Sequence, residues 1–100
     1  MALEFTDDNF QEEVLNSNQP VLVDFWAEWC APCRALGPVI DELSGTYEGK
    51  AKIGKLDIDT NRDVAIKYEI QSIPSIIIFK DGEVLNKFVG ISPKDELVSA

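Results

Sequence analysis

The sequence predicts one α/β domain over residues 1–100, with a central mixed, mostly parallel sheet of five strands and helices on both faces. Its 100 residues, of which 45% are hydrophobic, match the size of one domain that buries its own core. Short apolar runs rich in β-branched residues alternate with segments of helical periodicity. Near the carboxyl end, an Asp-Gly dipeptide between two strand-like runs is the strongest local hairpin signal.

The first half of the chain contains two predicted strands and two predicted helices. Residues 3–5 are the expected first strand, and Thr6 followed by two acids predicts the cap of a short helix. Residues 21–27 are almost continuously apolar, which is typical of a strand buried on both faces, and Asp24 is their anomaly. Residues 34–47 predict the second helix, in which an internal proline removes one backbone hydrogen bond.

The second half continues the alternation and ends in the hairpin. Residues 51–58 predict a third inner strand, and Asp59 or Thr60 is the expected cap of the helix that follows. The runs 75–80 and 83–89 predict the two hairpin strands. This order of elements places a group of parallel strands beside an antiparallel edge.

Composition excludes several classes of function. The net charge of −9, with no Lys or Arg before Arg34, argues against nucleic acid as a partner. With no His and two Cys, the chain lacks the ligands of a four-coordinate zinc site and the base of a Ser-His or Cys-His pair. It shows neither a secretory signal pattern nor an apolar run of about 20 residues, so we expect a cytoplasmic protein without membrane association.

The motif Trp29-Cys30-Ala31-Pro32-Cys33 lies where the buried strand ends and a helix begins. The pair is poorly suited to a purely structural role, because a disulfide that closes so short a loop stabilises the folded state by only about 2 kcal/mol before strain. A metal half-site shared between two chains needs further ligands, which the neighbouring sequence does not supply. The spacing favours thiol–disulfide exchange, which requires no cofactor beyond the disulfide itself.

Position distinguishes the two thiols. Cys30 precedes a helix, where unpaired N–H groups and the positive end of the helix dipole favour its thiolate. Cys33 falls inside the first turn and is expected to be less exposed. A lower pKa also makes each thiolate less nucleophilic, so we expect most of the rate advantage to come from positioning of the substrate disulfide.

Over essentially its whole length the chain resembles the thioredoxin family. The segments that carry the resemblance are 21–27, 29–33, 55–59, 72–75, 79–82 and 89–90. The resemblance implies the thioredoxin fold and reduction of protein disulfides, with Cys30 as nucleophile and Cys33 as resolving thiol. It further implies that Asp24 accepts the proton of Cys33, that Lys55 lies near Asp24, and that Pro74 is cis and faces the dithiol.

Substrates are expected to dock on an apolar rim around the dithiol. Because Trp26 is the better candidate for the core, we expect Trp29 to face the substrate. The resemblance adds further residues to this docking rim, namely Ala31, Pro32, Ile58, Ile73, Pro74, Val89, Gly90 and Ile91. For Ile58 and Val89, ordinary packing at strand ends is an alternative.

The resemblance also implies partners. It implies a monomer that is re-reduced by a flavoprotein thioredoxin reductase drawing on NADPH. The chain has no nucleotide-binding fingerprint of its own, so the electrons must come from a partner. Two alternatives stay open: an oxidant or isomerase in an oxidising compartment, and a non-catalytic binding subunit that uses the surface of Trp29 and Pro74.

Three features depart from the usual family pattern. Ala31 stands where Gly is common, which stiffens the turn between the cysteines. Glu69 stands at a helix end that often needs a left-handed residue, and we expect a cost of about 1 kcal/mol there. A last helix is predicted from Ser92 and Pro93, but only seven residues follow Pro93, so it is shorter than usual.

Overall fold

The computed structural model describes residues 2–89 and contains a five-stranded sheet within them. In chain order the strands are β1 (Leu3–Glu4), β2 (Val21–Trp26), β3 (Lys52–Asp57), β4 (Ser75–Lys80) and β5 (Glu83–Val89). Their order across the sheet is β1-β3-β2-β4-β5. Pairing is parallel among β1, β3 and β2 and antiparallel from β2 to β4 and from β4 to β5, which confirms the predicted mixed sheet.

Helices cover both faces of the sheet, as predicted. The helical elements are the π-helix Gln11–Leu15, α1 (Ala31–Thr46) and α2 (Arg62–Lys67). Because side chains alternate along a strand, β2 directs Leu22 to one face and Val23 to the other. Leu22 joins an apolar cluster with Ile40 of α1. Val23 joins a second cluster with Val14 of the π-helix and Val64 of α2.

The first helical segment does not begin at the predicted cap: its N-cap is Phe10, because the bonds between Thr6 and Asn9 close a separate turn before it. Thr6 Oγ1 accepts a hydrogen bond from the backbone N–H of Asn9 at 3.1 Å, and Asn9 Oδ1 accepts one from the Thr6 N–H at 2.7 Å. The segment then winds as a π-helix, in which the Asn16 N–H donates to the carbonyl oxygen of Gln11 at 2.9 Å. Phe10, at 4% exposure, anchors this turn in the core.

Helix α1 begins at Ala31, earlier than the predicted start at residue 34. Cys30 is its N-cap in an extended conformation, and Pro32 occupies the first turn, where a missing N–H costs no intrahelical hydrogen bond. Pro38 lies inside the helix, as predicted. One cysteine therefore caps the helix and the other, Cys33, lies in its first turn.

Helix α2 is capped differently from the prediction. Its N-cap is Asn61 and not Asp59 or Thr60. The capping acceptor comes from a distant segment: the Asp7 carboxylate accepts hydrogen bonds from the backbone N–H groups of Val64 at 3.0 Å and Asp63 at 3.3 Å. The predicted cap was wrong because the acceptor is Asp7, which follows β1 and is distant from α2 in the sequence. Local sequence does not encode such a contact.

The carboxyl-terminal part of the described chain follows the prediction closely. Asp81 and Gly82 both have positive φ, 55° and 81°, which is the conformation of a two-residue hairpin turn. Glu69 has a φ of 54°, so a non-glycine residue occupies the left-handed position expected after α2. The predicted last helix from Ser92 lies outside the described residues.

Candidate active site

A disulfide joins Cys30 and Cys33 at the junction of β2 and α1, with Cα atoms 5.2 Å apart. The backbone N–H of Cys33 donates a hydrogen bond to Cys30 Sγ at 3.2 Å. This N–H is one of the first-turn donors that have no carbonyl partner inside the helix. The helix end therefore directs a free donor at the Cys30 sulfur, where it stabilises a thiolate once the disulfide is reduced.

Both cysteines are largely buried, with Cys30 6% exposed and Cys33 2% exposed. Cys33 is the less exposed of the two, as predicted, but the difference in exposure is small. The two sulfurs therefore differ chiefly in their position on the helix and only slightly in accessible area. They form an apolar cluster with Ala27, against which Ile58 and Ile73 pack.

The Ile73–Pro74 peptide bond is cis, as the resemblance implies. The carbonyl oxygen of Ile73 lies 3.9 Å from Cys30 Sγ. Pro74 is buried, and in the same turn the Ser75 hydroxyl donates to the carbonyl oxygen of Ser72. The turn before β4 thus packs beside the dithiol, although the two are 43 residues apart in the chain.

Trp29 is the most prominent side chain next to the dithiol, with 68% of its surface exposed. Its indole Nε1–H donates a hydrogen bond to Asp59 Oδ2 at 2.8 Å. Asp59 follows β3, so this bond links the loop before α1 to the loop before α2. The indole is therefore both exposed and held in one orientation.

The other members of the predicted docking rim differ in exposure. Ala31, Pro32 and Val89 are exposed, Ile58 and Ile73 are half-buried, and Pro74 is buried. Val89 pairs with Ser75 across β4 and β5, which places it beside the cis-proline turn. Gly90 and Ile91 lie outside the described residues.

Asp24 lies in the middle of β2 and is 1% exposed. Neither of its carboxylate oxygens has a hydrogen-bond partner among residues 2–89. Burial raises the pKa of Asp24 to about 7, and the positive charge of Lys55 opposes part of that rise. A carboxyl group with a pKa near neutrality binds and releases a proton under ordinary conditions.

Lys55 pairs with Asp24 in the parallel register of β2 and β3, so the two residues are direct neighbours, as the resemblance implies. Its ammonium lies over the ring of Trp26, with Nζ 5.6 Å from the ring centroid. The sequence indicates Trp26 as a core aromatic residue and Asp59 as a helix cap, but it does not indicate what they contact. The contacts of Trp26 with Lys55 and of Asp59 with Trp29 each join different elements, so no local sequence signal predicts them.

Among residues 2–89, no three Cys, Asp or Glu side chains converge in a way that could hold a metal ion. No helix in the same range is long and apolar enough to cross a membrane.

A Cys-x-x-Cys disulfide at the start of a helix, on this sheet and beside a cis-proline turn, defines a thiol–disulfide oxidoreductase. The family model described as Thioredoxin matches residues 1–100. Thioredoxin 2 of Chlorobaculum tepidum is 56% identical over 92 residues, which are 92% of this chain and 84% of that protein. Thioredoxin C-2 of Corynebacterium nephridii is 53% identical over 94 residues, 94% and 87% of the two chains. The thioredoxin of Rickettsia bellii is 51% identical over 98 residues, 98% and 93%.

The chain therefore belongs to the thioredoxin family. It is an enzyme, a protein dithiol–disulfide oxidoreductase whose redox-active pair is Cys30 and Cys33. The predicted fold and class of activity are both confirmed. As a member of this family, the protein has disulfide-bearing proteins as substrates and a reductase as partner.

Proposed function

We propose that the protein reduces protein disulfides, with Cys30 as the attacking thiolate and Cys33 as the resolving thiol. The observation that carries this assignment is the hydrogen bond from the Cys33 N–H to Cys30 Sγ at 3.2 Å. It gives the thiolate of Cys30 a donor at the positive end of α1. Cys33 lies within the first turn, where its sulfur already reaches Cys30 in the disulfide.

The exchange proceeds in two balanced steps. The Cys30 thiolate attacks one sulfur of the substrate disulfide, which forms a mixed disulfide and releases the other substrate sulfur as a thiolate that takes up a proton. Cys33, once deprotonated, attacks Cys30 Sγ and releases the second substrate thiol. The substrate gains two electrons and two protons, and the enzyme is left with the Cys30–Cys33 disulfide.

Asp24 is the proposed acceptor of the Cys33 proton in the second step. Its carboxylate has no competing hydrogen bond among residues 2–89, and its pKa of about 7 suits proton transfer near neutral pH. Lys55 is its neighbour on β3, and the positive charge of Lys55 lowers the pKa of Asp24 against the effect of burial.

An extended segment of the substrate is proposed to dock on the docking rim around the dithiol. The backbone beside Pro74 would pair with the substrate strand, while apolar substrate side chains meet the rim. The proposed rim comprises Trp29, Ala31, Pro32, Ile58, Ile73, Pro74, Val89, Gly90 and Ile91. Exposure of the Trp29 indole and the half-buried Ile58 and Ile73 next to the cysteines support this assignment.

The remaining elements of the proposal concern the cellular setting. Residues 1–100 form a single domain that acts as a monomer in the cytoplasm. A flavoprotein thioredoxin reductase that uses NADPH returns two electrons to the disulfide. The absence of a nucleotide-binding fingerprint in the sequence supports an external electron source.

Trapping of the mixed disulfide tests the roles of the two cysteines. After mixing with an oxidised protein substrate, the Cys33→Ser variant should accumulate a covalent adduct through Cys30 in the mass spectrum. The Cys30→Ser variant is the matched control and should form none. Equal adducts with both variants would overturn the assignment. Failure of the unmodified protein to reduce insulin with dithiothreitol would indicate a binding subunit instead.

A further inference from the structure

The position of the Lys55 ammonium is unexpected for a residue that pairs directly with a buried acid. Asp24 and Lys55 are opposite each other in the β2–β3 register, yet neither Asp24 oxygen accepts a hydrogen bond from any residue in 2–89. The ammonium lies over the Trp26 ring, with Nζ 5.6 Å from the ring centroid. An aromatic face attracts a cation through its quadrupole, most strongly in the case of Trp.

Helix α1 leaves room for this ammonium at one position. Gly37 faces Lys55, and a Cβ built on Gly37 would lie 3.3 Å from Lys55 Nζ, closer than ordinary packing allows. The residue is buried within α1. The ammonium thus lies next to both the Trp26 ring and a part of the α1 surface that has no side chain.

Acidic side chains line the cavity on the outer side of Lys55. Lys55 and Trp26 line a cavity of about 410 Å³ that is open towards solvent. Four acidic side chains line the same cavity, from β1, the loop after β2, α1 and β3 respectively: Glu4, Glu28, Asp41 and Asp57. Asp24 is the buried acidic group beside Lys55, so carboxyl groups lie both on the inner side of the ammonium and along the cavity.

We propose that Trp26 is a positioning residue: its indole face holds the Lys55 ammonium near Asp24, against the attraction of the outer carboxylates, and so sets the pH at which Asp24 exchanges its proton. The catalytic consequence of this inference rests on the proposed role of Asp24 as proton acceptor, whereas the position of Lys55 does not. Near Asp24, the ammonium stabilises the ionised carboxylate, and this is the interaction that opposes the effect of burial. Once the ammonium moves outward, solvent screens its charge and Asp24 becomes a weaker acid.

The titration of Asp24 measures this effect directly. The ¹³C chemical shift of its side-chain carboxyl is followed against pH in the disulfide form of the whole chain. We expect Trp26→Leu to raise the titration midpoint by about 0.5 pH unit, from the strength of a partly exposed cation–π contact. Lys55→Met should raise it by at least as much, because that change removes the charge altogether.

The double variant separates an effect through Lys55 from a general change of the site. In the Lys55→Met background, Trp26→Leu should produce no additional shift of the midpoint, since no ammonium is left to position. Trp26→Phe, which keeps a weaker aromatic face, should lie between the wild type and Trp26→Leu, and it replaces Trp26→Leu in the cycle if that variant does not fold. A midpoint that is unchanged or lowered by the loss of Trp26, or a shift that persists without Lys55, overturns the proposal.

The same variants keep this inference distinct from the proposed function. The titration reports the position of Lys55 and involves no thiol chemistry. The rate at which Cys33 resolves a mixed disulfide reports whether Asp24 accepts its proton. One outcome is that the titration behaves as expected while Asp24→Asn resolves the mixed disulfide at the wild-type rate. That result would support the positioning role of Trp26 and contradict the role of Asp24 as proton acceptor.

Discussion

The indole N–H of Trp29 donates a hydrogen bond to the carboxylate of Asp59 at 2.8 Å, across two loops that are 30 residues apart in the chain. Trp29 is 68% exposed, so packing contributes little to its orientation. The Asp59 carboxylate is therefore the group that holds the indole beside the dithiol. This relationship adds Asp59 to the residues that shape the proposed docking rim.

Removal of the Asp59 acceptor should weaken reduction of protein substrates. We expect Asp59→Ala to lower kcat/KM about fivefold, because a hydrogen bond of this kind is worth about 1 kcal/mol. Asp59→Asn keeps a side-chain oxygen and should stay within about twofold of the wild type. Insulin reduction by both variants checks the expectation. Equal losses in the two variants would show that the charge matters and the hydrogen bond does not.

Asp24 should destabilise the folded protein at high pH. Its pKa rises from 3.8 in the unfolded chain to about 7 in the folded state. Below pH 3.8 the acid is protonated in both states and imposes no penalty, whereas between pH 3.8 and 7 the penalty grows, and above pH 7 it is constant. At about 1.4 kcal/mol per pH unit, the penalty reaches about 4 kcal/mol.

The variant Asp24→Asn should therefore gain more stability at pH 8 than at pH 4, by up to about 4 kcal/mol. The cost of burying the amide is the same at both pH values and cancels in the comparison. Urea unfolding at the two pH values measures the difference. A variant that loses stability at pH 8 and resolves the mixed disulfide normally would identify Asp24 as an ion-pair partner of Lys55 with no role in proton transfer.

Ile73 should matter for protein substrates more than for small disulfides. Its side chain packs against the cysteines, next to the carbonyl oxygen that approaches Cys30 Sγ. Ile73→Asp should lower kcat/KM for a protein disulfide about tenfold more than for a small aromatic disulfide, because the proposed docking rim would contact only the protein. An effect on the Cys30 thiolate would lower both rates alike. Leu85→Asp, at a residue of β5 that is 58% exposed, is the matched control and should change neither rate.

The Asp7 carboxylate should stabilise the fold through α2. It accepts hydrogen bonds from the N–H groups of Val64 and Asp63, so Asp7→Ala leaves the amino end of α2 without its acceptor. We expect a loss of about 1 kcal/mol, equivalent to a fall in Tm of about 5 °C. Asp8→Ala removes the same charge from an exposed neighbour and should change Tm by much less. Similar decreases in both variants would assign the effect to net charge.

The sequence predicted those features that depend on residues close together in the chain. The hairpin at Asp81 and Gly82 follows from a turn that needs positive φ at both positions, and Glu69 occupies a left-handed helix end as expected. The predicted helix cap at Thr6 was wrong: Thr6 and Asn9 close a turn before the first helix, whose N-cap is Phe10. The sequence did not predict that the helix that follows is a π-helix.

By itself, the sequence determined that two thiols lie at the start of a helix beside a buried strand, and this spacing already favours thiol–disulfide exchange. Only the tertiary structure decided which groups surround the two thiols and Asp24. It places the Ile73 carbonyl beside Cys30 and the Lys55 ammonium over the ring of Trp26. Turns, caps and strand periods result from steric and hydrogen-bonding preferences of neighbouring residues. The environment of Asp24, by contrast, depends on distances between separate strands and helices, which packing alone sets.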